Sequence, residues 1–412
     1  MAYVLRRQRA EIGAQEPIHS FGWQQVMCGV GWLLSREQFR ELSRKAVRSG
    51  IMDSLSTWIQ SLPPPPEFFP PTPKAYSTLL SIFQYFPIIT IAQWLLPFYP
   101  QGKTSLPTSI LNFPGRYAWC FMESIGAMNM LYILYTHFQS IPNFLSTMPA
   151  WNKLLVALYI LHYVNRAFIT PLFLAPSMSP IHLIIIFTAV TYNYFNSSCL
   201  AGWLLGYGLP VSASGEHIIA TTTSAANTPI HAWLPYVPYI GIALYFLGMY
   251  GNIHSETTLF RLRREEAHRK QQKAKKDGDA TNSRKSIYDK VYVIPPPTGV
   301  FRSILFPHYV LEWLEWAGFL LIGFAVASQT SHTPSASAKT PYIPLAPYYT
   351  PLAKLFLQRW GLPFPFPAIV FLVNTVLTTG ARASWGRKWY VQRFGEKAVA
   401  ARGGFVPYFK WL

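Results

Sequence analysis

The sequence predicts an all-α fold: a polytopic membrane protein with about seven transmembrane helices. Three observations carry this. Half of the residues are hydrophobic and only 13% are charged, about half the charge fraction of a soluble domain. Aromatic residues reach 16%, which suits a chain that anchors at two membrane interfaces. Seven mostly apolar runs, each near the ~20 residues that a helical span needs, alternate with loops that hold the basic residues.

In chain order, residues 1–76 form an N-terminal extension. Gly22–Leu34 is apolar but too short to span. Ser35–Leu62 has helical periodicity with mixed charge and is expected to form an interfacial helix. Pro63–Pro66, Pro70, Pro71 and Pro73 then make a stiff, extended linker. The expected spans are Thr78–Phe98, Tyr117–His137, Trp151–Phe173, Ile181–Leu205, Trp233–Ile253, Ser303–Ser328 and Phe364–Ala383. The first four belong to an N-terminal transmembrane part, 77–210, and the last three to a C-terminal part, 211–412.

The formal net charge of +18 is not that of a nucleic-acid binder, because the cations sit in loops between apolar runs. Arg261–Lys290 holds 11 Lys/Arg against 5 Asp/Glu, and Arg382–Leu412 holds 7 against Glu396 alone. Both are therefore expected on the cytosolic side, with Gln271–Ser286 a disordered low-complexity stretch. Seven spans then place the N-terminus in the lumen. Arg6, Arg7 and Arg9 are followed by polar residues, unlike a signal peptide, so insertion is expected to use an internal span. Cys28, Cys120 and Cys199 have no disulfide or zinc spacing.

Charged side chains inside spans are costly and point to function. Glu123 lies in the second span with no partner on its own helix. The third span carries His162, Tyr163, Asn165 and Arg166, where Tyr163 and Arg166 share a helical face; the fourth carries Asn193 and Asn196. Asn252, Ser255 and Glu256 share a face at the end of the fifth span. His308, Glu312 and Glu315 do so at the start of the sixth, without enough ligands for a metal site. Arg382–Tyr390 is a basic flank suited to phosphates. No GxGxxG follows a strand, and no Walker, HExxH or GxSxG motif is present.

Those residues resemble the steroid 5-alpha-reductase family. Gly248–Glu256 is similar to its GM-x-x-NIHSD segment, Tyr292–Pro295 to its Y-x-I-P, and Gly299-Val-Phe301 to its G-x-F. His308-Tyr-x-x-Glu-x-x-Glu-Trp316 is similar to its [NH]Y-x-G-E-x-x-EW. Arg382, Trp389-Tyr390, Phe394 and Pro407 follow its C-terminal pattern. Ala118–Glu123 and His162–Arg166 resemble AW-x-x-QE and HY-x-x-R. The chain departs from the family at Glu256 (aspartate there), Leu311 (glycine), Met122 (glutamine) and Pro235 (aspartate), and in its extension and basic insert.

The resemblance implies NADPH-dependent reduction of a carbon–carbon double bond conjugated to a carbonyl, in a steroid or another lipid. It implies Glu123 and Tyr163 as the pair holding the developing enolate oxygen. It further implies a cofactor site of cytosolic loops and helix ends with Asn196, Asn252, Ser255, His308, Glu312, Arg382, Arg387 and Tyr390. The substrate would enter from the bilayer, with no nucleic acid involved, in the endoplasmic reticulum membrane. Related readings are a polyprenol or 2-enoyl thioester reductase; one from another class is a membrane methyltransferase of the isoprenylcysteine type, and a non-catalytic scaffold leaves the polar residues unexplained.

Overall fold

The computed structural model describes residues 59–96, 100–102, 106, 108–207, 211–213, 216–218, 232–277, 286–288, 291–330 and 343–410. The chain divides into two units, Met1–Leu62 and Pro63–Leu412. Gly22–Leu34, Cys28 and most of Ser35–Leu62 lie outside the described residues. All of the architecture below belongs to the second unit.

Eight long helices carry it. They are α1 (Pro73–Phe83), α2 (Phe86–Leu95), α3 (Gly115–Ser140), α4 (Ala150–Tyr163), α5 (Leu183–Leu204), α6 (Val237–Lys276), α7 (Pro307–Thr330) and α8 (Phe366–Phe394). α4 runs on without a break into a π-helical segment, Val164–Leu174. Strands are confined to short pairings. Asn112–Phe113 pairs antiparallel with Ile181–His182, and Val211–Ala213 lies between Glu216–Ile218 and Ile343–Pro344.

A helix lies at each of the seven expected spans. Five stretches are long and apolar enough to cross a membrane: Pro73–Leu95, Ala150–Leu174, Leu183–Leu204, Pro307–Ala327 and Phe366–Phe394. α3 and α6 fall outside that set. α3 carries Arg116, Glu123, Ser124 and Asn129, and α6 continues as a charged rod past the apolar part. At ~1.5 Å per residue, the 40 residues of α6 are about twice a bilayer core in length.

Two boundaries differ from expectation for clear physical reasons. The first span is broken at Gln84–Tyr85, just before Pro87. The break is held by the fully buried Gln84, whose amide donates to the Pro344 carbonyl at 2.8 Å and accepts from the Ala346 amide at 2.7 Å. The basic insert is helical through Lys276, where a disordered stretch was expected from Gln271. Its residues are strong helix formers, and Arg269 bonds Glu266 one turn back at 2.8 Å.

Polar side chains join the spans, as in a solvent where helices gain little from apolar contact alone. Asn129 of α3 donates to Ser197 and Ser198 of α5 at 2.8 and 2.9 Å. Asn152 of α4 donates to the Leu204 carbonyl at 2.7 Å, and Trp313 of α7 to Thr379 of α8 at 2.6 Å. The carbonyls at the end of the π-helical segment, left without helical donors, are met by Arg116 at Leu172 and Ala175 (2.8 and 3.0 Å) and by Arg264 at Leu174.

The α6–α7 pair packs backbone to backbone. A Cβ added at Gly248 would stand 2.4 Å from the Glu315 amide nitrogen and 2.6 Å from the Leu311 carbonyl. One added at Gly318 would stand 2.5 Å from the Gly241 carbonyl. Small residues permit this approach, and it sets the depth at which Asn252 and Glu315 face each other. Overpacking costs about 1–3 kcal/mol where side chains can yield; here the obstacle is main chain, so Gly248→Val is expected at or above the top of that range. Thermal unfolding of the detergent-solubilised protein should show a large loss for Gly248→Val and almost none for Ala243→Val on the exposed face of the same helix. Equal effects would refute the close packing.

Candidate active site

The site begins with the change of helix type at Val164. An α-helix would place Tyr163 and Arg166 on one face; the wider π turn, common at functional sites, sends them to different neighbours. Arg166 reaches both α3 and α7. Its Nε lies 3.6 Å from Glu123 Oε1, and a terminal nitrogen lies 3.6 Å from Glu312 Oε2. Its guanidinium also covers the Trp119 ring at 5.2 Å, and the Trp119 indole donates to the Arg166 carbonyl at 3.1 Å. Glu123, which has no partner on its own helix, is thus half of an interhelical ion pair. That corrects the expectation of an unpaired carboxyl: the partner lies 43 residues on and only the tertiary fold brings it near.

Tyr163 is buried and its hydroxyl donates to Asn193 Oδ1 at 3.0 Å. The Asn193 amide donates in turn to the Met122 carbonyl at 2.8 Å, so one α5 side chain ties Tyr163 to the turn of α3 that carries Glu123. Tyr159 packs against Tyr163 with the rings tilted at 43° and their centroids 4.7 Å apart. Gly126 makes room for both: a Cβ there would lie 2.9 Å from the Tyr159 hydroxyl and 3.2 Å from the Tyr163 ring. Asn196 donates to the Tyr159 hydroxyl at 3.3 Å, and its own Oδ1 has no hydrogen-bond partner among the described residues.

On α7, the residues that share a face go to three places. Glu315, fully buried, accepts from or donates to His162 Nδ1 at 2.8 Å. Glu312 faces Arg166, and His308 reaches an open cleft. This cleft, about 400 Å³, lies between α6, α8 and the loop after residue 291; Glu256, Arg263, Tyr292, Arg382, Trp389 and Tyr390 are among its walls. Arg263 donates to the Ser177 and Tyr288 carbonyls at 3.0 and 3.3 Å, while its Nε has no hydrogen-bond partner among the described residues. Burial pulls the Arg263 guanidinium down from its ordinary value, against the neighbouring Tyr292 and Tyr288. Glu256 lies beyond the expected fifth span; burial pushes its carboxyl up while Arg166 pulls it down.

Not every expected cofactor residue meets at this cleft. His308, Arg382 and Tyr390 line it. Asn252 faces a small chamber behind it, and Asn196 lies deeper among the helices. Ser255 bonds back to the Gly251 carbonyl at 2.7 Å on its own helix. Arg387 does not face the cleft. It donates to the Arg402 carbonyl and to Glu396, each at 2.8 Å, and so ties down the C-terminal turn. The expectation of Arg387 as a phosphate ligand is corrected on that ground: its outward partners on α8 come from the tail, a contact that the sequence alone does not reveal.

Sequence reasoning singled out Arg166 and Asn193 as polar residues inside spans without giving them a role, and it gave none to Arg263 or Trp119. Arg166 carried a signal, since an arginine inside an apolar span needs a buried partner. Arg263 was masked by the run of cations around it. A dinucleotide fits the donor set of the cleft: guanidinium groups suit phosphates, and aromatic faces at Tyr292 and Trp389 suit flat rings. Among the described residues, no group of three or more His, Cys, Asp or Glu is placed to hold a metal ion.

The arrangement is that of a helical membrane protein with a polar site buried inside the helix assembly and open to water on one side. Comparison shows what the chain is similar to. Residues 179–331 match the family model described as 3-oxo-5-alpha-steroid 4-dehydrogenase. The tomato (Solanum lycopersicum) steroid 5-alpha-reductase DET2 is 23% identical over 78% of this chain and 91% of its own length. The rat (Rattus norvegicus) 3-oxo-5-alpha-steroid 4-dehydrogenase 1 is 24% identical over 55% of this chain and 70% of its own. An uncharacterised Schizosaccharomyces pombe protein is 28% identical over 60% and 82%. The chain is a divergent relative of the steroid 5-alpha-reductases and an oxidoreductase of that type. Glu123, Tyr163, Arg382 and Tyr390 lie outside the matched residues.

Proposed function

We propose that the protein reduces a carbon–carbon double bond conjugated to a carbonyl in a steroid or another lipid, using NADPH. The observation that carries this is the convergence of Tyr163 and Glu123, from different helices, through Asn193. Reduction of such a bond builds negative charge on the carbonyl oxygen. Tyr163 and Glu123 are the donors assigned to it, and donors fixed in advance are the strongest catalytic device for an oxyanion. To donate, Glu123 must hold a proton. One guanidinium lies against two acidic side chains here, Glu123 and Glu312, at 3.6 Å from each. Asn193 orients the phenol, and Gly126 leaves it room.

The cofactor would supply the hydride that goes to the beta carbon. Arg263 and Arg382 would hold its phosphates, Trp389, Tyr292 and Tyr390 would face its rings, and Asn252, His308 and Glu312 would take hydroxyl and amide groups. The cleft would open to the cytosol, as the basic flanks of α6 and α8 suggest, in the endoplasmic reticulum membrane. The substrate would come from the bilayer. A polyprenol or an enoyl thioester are the alternatives that the same site accepts.

Incubating membranes that contain the protein with NADPH and a panel of enone steroids, polyprenols and enoyl thioesters tests the reading; consumption of NADPH with none of them would refute it as surely as no consumption at all. Cofactor binding has its own check. Glu312→Ala is expected to weaken NADPH about 10- to 100-fold, the scale of a hydrogen bond to a charged group, in titrations of the purified protein. Unchanged affinity would remove Glu312 from the site.

A further inference from the structure

Behind the cleft, between the π-helical segment, α6 and α7, lies a small chamber of about 10 Å³; His162, Asn165, Arg166, Asn252, Glu256 and Glu315 are its polar walls, and Met249 and Ile253 complete it. A volume of that order holds one water if polar groups surround it, and here six of the eight lining residues are polar. Glu315 is fully buried. Its Oε1 meets His162, whereas its Oε2 has no hydrogen-bond partner among the described residues. A buried carboxylate oxygen without a partner is costly, and a water in the chamber removes that cost. Glu256 belongs to two walls at once, since it lines both this chamber and the open cleft.

The charges around the chamber do not balance. Four carboxylates, Glu123, Glu256, Glu312 and Glu315, are opposed from within by Arg166 and, when protonated, by His162. Arg382 of α8 acts on Glu256 from the cleft side, and the nearby titratable hydroxyls are Tyr309 beside Arg166 and Tyr245 beside Glu315. Buried carboxylates in excess of cations favour taking up protons. Glu256 is the member of the cluster that also lines the cleft.

We propose that the chamber is a proton-entry route: Glu256 takes a proton from water in the cleft and passes it through one ordered water to the Glu315–His162 pair. The proposal rests on the reductase reading. Addition of a hydride to one carbon of a conjugated double bond leaves an enolate, and one proton from solvent at the other carbon completes the two-hydrogen addition, with no further oxidant or reductant. Glu256, Glu315 and His162 are positioning residues for that proton. The glutamate at 256 is one methylene longer than the aspartate of the motif it resembles.

Infrared difference spectroscopy on the purified full chain, without cofactor or substrate, tests the route directly. At neutral pH we expect the carbonyl stretch of a protonated carboxyl, shifting promptly when water is exchanged for D2O. Glu315→Gln should reduce that band. Glu256→Gln should slow its exchange by about 100-fold, the low side of what a positioned acid or base contributes. Asn165→Leu, which fills the chamber and leaves every carboxyl in place, should slow it likewise and serves if Glu315→Gln does not fold. No protonated band, or exchange unaffected by both Glu256→Gln and Asn165→Leu, overturns the route. With an accepted substrate and saturating NADPH, Glu256→Gln should also enlarge the solvent isotope effect on turnover; an unchanged isotope effect again overturns the route. If the spectroscopic result holds and no enone, polyprenol or thioester is reduced, the route stands as a proton path and the reductase reading falls.

Discussion

Glu123→Gln is expected to lower turnover about 100-fold or more, the usual scale for losing one oxyanion donor, with NADPH affinity almost unchanged. The amide keeps the size of the side chain and can still donate, but it cannot act as an acid, and it replaces the carboxyl that Arg166 approaches to 3.6 Å. Tyr163→Phe should give a loss of similar size, since it removes the hydroxyl that Asn193 orients. The double variant should lose less than the product of the two, because groups that act as a unit are not additive. Steady-state kinetics and cofactor titration on all three variants decide it. Near-normal turnover in Glu123→Gln would return Glu123 to a purely structural ion pair. A large loss of NADPH affinity would instead move it into the cofactor site.

Arg166→Leu should be the most damaging single change to stability. Glu123 and Glu312 come from helices far apart in sequence, and Arg166 stands between them with its side chain only 14% exposed. Removing one partner of a buried pair costs about 3–5 kcal/mol, because a charge is left without compensation. Here two acidic side chains lose the same neighbour. Thermal unfolding in detergent should show a large drop, and Glu312→Gln in the same chain should recover part of it by removing the carboxylate charge that Arg166 had faced. If Arg166→Leu unfolds like the wild type, Arg166 does not bridge the helices. If Glu312→Gln gives no recovery, Glu312 is not one of its partners.

Much of this protein was legible in the chain itself. Apolar runs of span length, basic loops and the segments Gly248–Glu256 and His308–Trp316 are local features, and they placed the helices and the family resemblance. Local propensity also governs the insert, where Glu266 and Arg269 one turn apart help carry the helix to Lys276. Composition alone, which reads charge without pairing, had suggested disorder there.

What the sequence by itself determined was which residues are buried at a cost: Glu123, His162, Arg166, Glu312 and Glu315 are ionisable groups in or beside apolar helices, and each needs a reason to be there. Only the tertiary structure decided the partners. Arg166 reaches Glu123 and Glu312 while Tyr163 bonds Asn193, and a π-helical turn begins between the two residues. Arg387 holds the C-terminal tail rather than the cleft, because Glu396 and the Arg402 carbonyl fold back onto α8. Arg263, one cation in a run of many, lines the cleft because α6 extends beyond its apolar part. The physical reason is the same in each case: burying a charge is settled by what lies within a few ångströms of it, and in a bundle of helices those neighbours come from other segments of the chain.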